Sequence, residues 1–456
     1  MRRLLAVATL LLAYSLPAAA QANRAALVAR LDSLANAPIL ENRAVGATVI
    51  VLKGGDTLIN RGYGKADVEL GVATPLRGVY EIGSVTKQFT AAAILQLRDA
   101  GKIDLDADVT RYLPTFNTRG NKVTVRRLLD HTSGIKGLTE IPAFRTLQNS
   151  GYPRDSALAV IGREPFDFAP GEAQIYNNSA FILLGHIIEK TSGMTYEDYI
   201  EQKIFAPLGM KNSSYCNNLE LVPGRVNGYA IAQLGIRKAN RNDHTWPFSA
   251  GSICSSAEDL LKWMVALHTG KVLTPASYRE MTSASKLNDG TVTRYGMGLA
   301  VGNDVRGSRM IGHGGSIDGF TSDARWYPDS NLYVVVLFNS GGPVSPSALA
   351  SELAGAIIPQ TLPVLRPFAG DATPLVGKYS GPSRGRVMTI DIAKDSAGRV
   401  MISLNGQPAR PLPWIKEWSF RQGDSFLTFE RAGTSGPATL LRFDGGAGAY
   451  YKLKRQ

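Results

Sequence analysis

The sequence lacks the motifs of several large classes of enzyme. It contains no His-Glu-x-x-His and no His-x-His-x-Asp cluster, which argues against a metallohydrolase and predicts no metal site. Neither a Gly-x-Gly-x-x-Gly pattern nor a P-loop lysine pattern is present, so the sequence implies no nucleotide cofactor. We therefore predict a protein that works without a cofactor.

Long apolar runs and clustered charges are also scarce. Beyond the N-terminal segment no stretch approaches the roughly eighteen consecutive apolar residues of a membrane span, and we predict none in the mature chain. Lysine and arginine outnumber aspartate and glutamate by 50 to 38, which gives a formal net charge of +12. These basic residues are scattered rather than massed in runs with interleaved aromatic residues, so we predict no nucleic-acid partner.

Cysteine is nearly absent, with only Cys216 and Cys254 in the chain. In an oxidising compartment the two could form a disulfide, which would stabilise the fold by about 3–4 kcal/mol in the chain-entropy model. Two free thiols are the alternative. The sequence alone does not decide between them.

The first 22 residues have the layout of a secretory signal peptide. Arg2 and Arg3 form a basic start, Leu4–Leu16 is a run of apolar and small residues, and Pro17–Ala22 offers small residues for cleavage. The run is too short to span a bilayer comfortably, although an uncleaved anchor helix is the alternative. The segment predicts an exported protein, either periplasmic or secreted.

Strand patterns near both ends enclose a mostly helical middle. They occur at 45–62 and again at 295–339, whereas residues 84–268 carry apolar residues at helical spacing. This order predicts an α+β domain over residues 23–364, in which an antiparallel sheet is flanked by helices and carries an inserted helical lobe. Short alternating strands predict a second, all-β module over residues 365–456, either a barrel or a sandwich. The oligomeric state stays open.

The first chemical motif is a serine followed three residues later by a lysine. A serine hydroxyl needs a neighbouring base to become a good nucleophile, and residues three apart on a helix share a face. We favour Ser84 and Lys87 because Ser84 opens the most regular helix of the chain, although Ser84 could also be only a helix N-cap. The spacing alone is not specific. It occurs at Ser84/Lys87, Ser133/Lys136 and Ser283/Lys286.

Two further motifs carry groups that could assist such a serine. In Tyr176-Asn177-Asn178, the phenol of Tyr176 can relay a proton and the amide of Asn178 can bind a substrate carbonyl. His313-Gly314-Gly315-Ser316 ends a predicted strand, where glycines let a substrate backbone lie against the strand edge. A hydrogen-bond donor at His313 could face the nucleophile.

Taken together, the motifs resemble those of the β-lactamase-related serine hydrolases. The matching stretches are Ser84-Val85-Thr86-Lys87, Tyr176-Asn177-Asn178 and His313-Gly314-Gly315, in the family's order. That family includes class C β-lactamases, D-alanyl-D-alanine carboxypeptidases, D-aminopeptidases and β-lactamase-fold esterases. The resemblance covers roughly residues 25–360. The all-β tail is similar to the lipocalin-like modules appended to some members.

The resemblance implies a reaction that passes through an acyl-enzyme. Ser84 would be acylated, and Lys87 and Tyr176 would share the proton transfers. Asn178 would position the substrate amide. The backbone N–H groups of Ser84 and Ser316 would form the oxyanion hole.

Position 313 departs from the β-lactamase pattern, which usually has lysine there. A histidine is mostly neutral at pH 7 and attracts a substrate carboxylate less than an ammonium group does. We therefore assign His313, Gly315 and Ser316 to substrate binding and favour peptide, D-amino-acid amide or ester substrates, with weak β-lactam hydrolysis as a further option. The partner would be a small molecule or a peptide, cell-wall peptide included. The alternative is a penicillin-binding sensor, or an inactive relative, that binds or acylates without turnover.

Overall fold

The computed structural model describes residues 18–142, 144, 153–304, 306–359, 365–433, 436–446 and 448–456. A seven-stranded antiparallel sheet, here called the main sheet, joins the two ends of the predicted α+β domain. From one edge to the other its strands are Ala300–Asn303, Arg309–Ile317, Phe320–Tyr327, Leu332–Phe338, Gly46–Lys53, Asp56–Asp67 and Val72–Ala73.

The central strands are apolar on both faces because both faces of the main sheet are covered. Along Gly46–Lys53, Val49 and Val51 belong to the core beneath one face, whereas Ile50 belongs to the core beneath the other. Successive side chains of a strand point to opposite sides, so an uninterrupted β-branched run serves two layers. The turn of the first hairpin is Gly54-Gly55, as its sequence predicts, and both glycines have positive φ.

Helices form the two outer layers. Ala18–Leu40 and Pro346–Gly355 pack on one face of the main sheet, and the helical lobe packs on the other. The helices of the lobe are Thr86–Asp99, Val125–Leu129, Arg154–Arg163, Asn178–Ser192, Tyr196–Ile200, Ala206–Leu208, Phe248–Gly251, Ala257–His268 and Pro275–Met281. The α+β fold with an inserted helical lobe is therefore confirmed.

Shorter elements complete this part of the chain. Single helical turns are Gly83–Val85, Val109–Arg111, Leu138–Glu140, Glu201–Phe205 and Pro328–Ser330. One small sheet joins Tyr80–Glu81, Ile253–Ser255 and Ser214–Tyr215, and another joins Ser340–Gly341, Tyr229–Ala232 and Gly235–Lys238.

Two strand boundaries differ from the sequence prediction. The strand expected from residue 295 begins only at Ala300, because Gly298 adopts a positive φ of 69° and turns the chain. The next strand is longer than its apolar pattern suggests and runs to Ile317. His313 therefore lies inside a strand rather than at its end.

The C-terminal residues form one continuous sheet of ten strands, here called the C-terminal sheet. Its strands are Gly377–Ser383, Arg386–Lys394, Val400–Leu404, Arg410–Pro411, Trp414–Lys416, Ser419–Gln422, Ser425–Arg431, Ala438–Gly446, Ala449–Arg455 and, from the helical lobe, Gln174–Ile175. The first of these pairs with the strand Ala449–Arg455, and the sheet curls into a half-barrel around its own apolar core. Because these strands are hydrogen-bonded into one continuous sheet, the alternative of a two-sheet sandwich is excluded. The module boundary at residue 365 stays a prediction.

The two cysteines are joined in a disulfide, which resolves the question that the sequence left open. Cys216 and Cys254 have Cα atoms 5.1 Å apart and are both buried. Replacing both by alanine is expected to lower the free energy of unfolding by about 3–4 kcal/mol, since their separation of 38 residues no longer restricts the unfolded chain. Urea denaturation without reductant would measure the difference. A double variant as stable as the oxidised wild type would contradict this expectation.

Most of the predicted signal segment, residues 1–17, lies outside the described residues, and among those described the first helix is Ala18–Leu40. Over the described part of the chain, no helix combines the length and the apolarity that crossing a bilayer requires. The same residues contain no group of three or more histidine, cysteine, aspartate or glutamate side chains arranged to hold a metal ion.

Candidate active site

Ser84 lies on a single helical turn, Gly83–Val85, that leads directly into the helix Thr86–Asp99. Gly83 has a φ of +50°, and a Cβ atom there would lie 3.0 Å from the backbone nitrogen of Ser316. Only glycine suits this position, because the turn must pass close to the neighbouring strand. The turn holds Ser84, which is partly exposed, at the wall of a cleft.

Lys87 lies one helical turn after Ser84 and is fully buried. Its Nζ is 3.1 Å from Ser84 Oγ, 2.9 Å from Asn178 Oδ1 and 2.8 Å from the carbonyl oxygen of Ala250. Burial, and then the positive charge of Arg384, hold the pKa of the Lys87 amine well below its usual value. A neutral amine beside a hydroxyl can accept that hydroxyl's proton.

The other two serine–lysine pairs have different surroundings. Lys136 makes an ion pair with Asp167, with an N–O distance of 2.7 Å. Ser283 and Lys286 are both exposed at the surface. Neither of these lysines has the buried, acid-free environment of Lys87.

Tyr176 follows the short strand Gln174–Ile175, and its ring centroid is 4.8 Å from Lys87 Nζ. Burial raises the pKa of the Tyr176 phenol, and the nearby Ser84 hydroxyl and the charge of Arg384 offset part of that rise. The hydroxyl is buried, lies near Ser84 and makes no hydrogen bond of normal geometry to any described residue. It is therefore a protonated donor available to an incoming group.

Asn178 begins the helix Asn178–Ser192, and Asn177 caps that helix by accepting a hydrogen bond from the backbone N–H of Ala180. The cap fixes the start of the helix beside Lys87. The Asn178 Oδ1 accepts from the lysine, while its Nδ2 donates to Thr139 Oγ1 at 3.4 Å. The amide thus lies between Lys87 and the cleft.

His313 faces Tyr176 from the main sheet, with ring centroids 6.0 Å apart. Both of its nitrogens are engaged by the protein: Nε2 lies 2.9 Å from the hydroxyl of Tyr295, and Nδ1 lies 2.5 Å from the carbonyl of Gly314. Burial and the nearby Lys87 lower the pKa of His313 to about 3, so the ring is neutral at pH 7. The donor that we expected His313 to offer is therefore already committed to Gly314.

Gly315 and Ser316 continue the same strand past Ser84. A Cβ atom on Gly315 would lie 2.1 Å from the carbonyl oxygen of Ile82, so this glycine lets the strand lie against the turn that carries Ser84. Ser316 is exposed beside the cleft, with its backbone nitrogen next to Gly83. The backbone of Ser316 thus runs beside the turn that carries Ser84.

Two clefts meet at Ser84. The first cleft has a volume of about 560 Å³ and is lined by Trp246, Phe144 and Thr139 among others. The second cleft has a volume of about 850 Å³ and is lined by Tyr176 and His313. Ser84, Asn178 and Ser316 line both clefts, so a substrate can cross the serine with one part on either side.

The C-terminal sheet reaches the site. Its strand Ala449–Arg455 pairs with Gln174–Ile175, immediately before Tyr176. Gly448 packs against Tyr176, because a Cβ atom there would lie 3.2 Å from the tyrosine ring. Arg384 places its guanidinium carbon 5.1 Å from the centroid of the same ring. No local sequence signal marks these contacts, since they join distant parts of the chain.

His131 packs against the segment that carries Tyr176 and Asn178. Its Nδ1 accepts a hydrogen bond from the backbone N–H of Asn177 at 3.2 Å, and its ring lies 4.4 Å from the ring of Tyr176. Burial, and then Lys87, hold the pKa of His131 well below its usual value. A neutral His131 therefore orients the segment that carries Tyr176 and Asn178.

Several known proteins are similar to this chain in sequence. A family model described as Beta-lactamase matches residues 22–357. Penicillin-binding protein 4* of Bacillus subtilis (strain 168) is 28% identical over 324 residues, which is 66% of this chain and 69% of that protein. Protein flp of Staphylococcus aureus (strain MRSA252) is 27% identical over 320 residues, which is 68% of this chain and 62% of flp. The chain thus spans less than two thirds of flp.

Solved structures agree in fold. A D-stereospecific amidohydrolase from Streptomyces sp. is 27% identical with a TM-score of 0.62, covering 73% of this chain and 99% of that one. The octameric penicillin-binding protein homologue from Pyrococcus abyssi is 25% identical with a TM-score of 0.65, covering 94% and 100%. The match of the family model over most of the chain shows that this protein belongs to the beta-lactamase family of serine hydrolases.

Proposed function

We propose that this protein hydrolyses acyl substrates through a covalent intermediate on Ser84. The observation that carries this proposal is the placement of Lys87 Nζ, 3.1 Å from Ser84 Oγ in a buried site where its other hydrogen-bond partners are an amide and a carbonyl oxygen. A lysine without a carboxylate partner in such a site loses its proton readily and can act as a base.

The proposed reaction begins when Ser84 Oγ attacks the substrate carbonyl and Lys87 takes the hydroxyl proton. The backbone N–H groups of Ser84 and Ser316 stabilise the oxyanion of the tetrahedral intermediate. Tyr176 passes a proton to the departing nitrogen or oxygen and regains one from the protonated Lys87, which becomes a free amine again. Asn178 holds both Lys87 and the substrate amide. Water then attacks the acyl-enzyme while Lys87 takes its proton, and that proton passes to Ser84 Oγ as the acid product departs.

The proposed substrates are peptides, D-amino-acid amides or esters, with weak β-lactam hydrolysis as a minor activity. The names of the relatives support this range, since one is a D-stereospecific amidohydrolase and another is a penicillin-binding protein. The neutral His313 also supports it, because the ring supplies no positive charge for the carboxylate of a β-lactam.

We also propose that the protein is exported, to the periplasm or beyond, and that cell-wall peptide is among its partners. The layout of residues 1–22 supports export. The Cys216–Cys254 disulfide supports it independently, because disulfides persist in oxidising compartments.

A steady-state assay with p-nitrophenyl esters, nitrocefin and D-amino-acid p-nitroanilides tests the proposal. Sustained turnover, with mass spectrometry placing the trapped acyl group on the peptide that contains Ser84, is the expected result. Labelling of Ser84 in a one-to-one ratio without release would instead favour the sensor alternative. Turnover with the acyl group on another residue would refute the proposed mechanism.

A further inference from the structure

Arg384 belongs to a hairpin turn of the C-terminal sheet that is inserted at the rim of the second cleft. The flanking strands pair at Ser383 and Arg386, which leaves Arg384 and Gly385 as the two residues of the turn. Gly385 has a φ of +67°, and a Cβ atom on it would lie 2.3 Å from the Cγ of Glu140. The turn is thus in close contact with the helical lobe.

Glu140 fixes one side of the Arg384 guanidinium. Arg384 Nε donates to Glu140 Oε1 at 2.7 Å, and the Glu140 side chain is only 10% exposed. The guanidinium carbon also lies over the ring of Tyr176. Its two terminal nitrogens make no hydrogen bond to any described residue, while the Arg384 side chain as a whole remains 46% exposed. Arg384 lines the second cleft, so these two nitrogens are donors available at its rim.

Arg384 is the permanent positive charge of this cleft. Among the described residues that line it, Arg384 is the one lysine, arginine, aspartate or glutamate. Lys87 and His313 border it, but burial lowers the pKa of each, to about 3 for His313, which disfavours their charged forms. An anionic group that enters the cleft has Arg384 as its partner.

The proposed mechanism places the leaving group in the second cleft. Tyr176, which we propose as the proton donor to that group, lines the second cleft but not the first. The first cleft carries the aromatic side chains Phe144 and Trp246, which suit an apolar acyl portion. A substrate that spans Ser84 would place its leaving residue beneath Arg384.

We propose that Arg384 is a specificity-determining residue that binds the free carboxylate of the leaving amino acid through its two terminal nitrogens. A guanidinium binds a carboxylate through two parallel hydrogen bonds, which fix its orientation as well as attract it. The preferred substrates are then acylated amino acids and short peptides with a free C-terminal carboxylate. This inference rests on the proposed hydrolase function and narrows its substrate class.

The test compares N-acetyl-D-alanyl-D-alanine with its C-terminal amide. For the wild type, kcat/KM is expected to be higher for the free carboxylate. Arg384→Gln is expected to lower the ratio of the two kcat/KM values by about 10- to 100-fold, the range of a charge-assisted bidentate pair. Glu140→Gln is expected to lower the same ratio by a smaller factor, because a neutral glutamine holds the Arg384 guanidinium in place less firmly than the carboxylate does. Arg386→Gln, an exposed arginine of the same hairpin outside the cleft, is the matched control and leaves the ratio unchanged.

The inference would be overturned if the wild type had similar kcat/KM values for the free carboxylate and the amide. It would also be overturned if the ratio of these two values were equal in the wild type and Arg384→Gln. Calorimetric binding of the two dipeptides to Ser84→Ala, with and without Arg384→Gln, gives a second readout that requires no catalysis. Tighter binding of the free carboxylate that disappears with Arg384→Gln supports the inference even if the hydrolase proposal fails. Equal binding of acid and amide refutes it even if the hydrolase proposal holds.

Discussion

Ser84→Ala is expected to reduce kcat by roughly 10⁵- to 10⁶-fold for every substrate that the wild type hydrolyses, because no acyl-enzyme can form without the Oγ atom. Steady-state assays at high enzyme concentration would measure the residual activity of the variant. Binding should persist, since the clefts, Asn178 and the backbone N–H groups are left in place. Mass spectrometry should also find no trapped acyl group in the variant.

The chain supplies a matched control for this experiment. Ser283 also stands three residues before a lysine, but it is exposed and donates its hydroxyl to the carbonyl of Arg279 at 2.6 Å. Ser283→Ala should retain wild-type kcat and kcat/KM. Ser84→Ala with activity within tenfold of the wild type would refute Ser84 as the nucleophile.

Lys87→Met is expected to reduce kcat by about 10³- to 10⁴-fold, near the upper end of what a positioned general base contributes. Methionine has a similar length but cannot accept the proton of Ser84. Lys87→Arg should reduce kcat to a similar extent, because a guanidinium stays protonated at any working pH and cannot accept the proton of Ser84. Lys286→Met, at an exposed lysine with the same spacing to a serine, should leave kcat unchanged.

The pH dependence separates a base from a merely structural lysine. Burial lowers the pKa of Lys87, so the free amine persists to a lower pH than that of an exposed lysine and is protonated as the pH falls through that lowered pKa. In the wild type, kcat should therefore decline on the acid side and stay level towards neutral pH. That acid limb should vanish from the residual activity of Lys87→Met. An unchanged limb in the variant would assign the titration to another group.

Local patterns predicted much of the fold because neighbouring residues determine them. The β-branched run of Gly46–Lys53, the double glycine of its hairpin and the apolar spacing of Thr86–Asp99 all reflect preferences over a few residues. The prediction of a strand beginning at residue 295 was partly wrong, because that boundary depends on a contact with a distant part of the chain. The turn at Gly298 serves a contact with Lys87, more than two hundred residues earlier in the chain.

The environment of each ionisable group could not be predicted in this way. His313 was expected to offer a donor, yet the structure places Tyr295 and the Gly314 carbonyl on its two nitrogens. Arg384 and Glu140 carried no recognisable signal, since 244 positions separate them. Whether a side chain is neutral or charged depends on burial and on neighbours that only packing brings close.

By itself, the sequence determined the α+β order of elements and the serine–lysine pair on one helix turn, because hydrophobic periodicity and a three-residue spacing act locally. Only the tertiary structure decided which of three serine–lysine pairs is buried without an acid, that Cys216 and Cys254 meet, and that Arg384 enters the cleft from the C-terminal sheet. Those outcomes depend on distances between remote segments, which the packing of the two apolar cores and the curl of the C-terminal sheet set together.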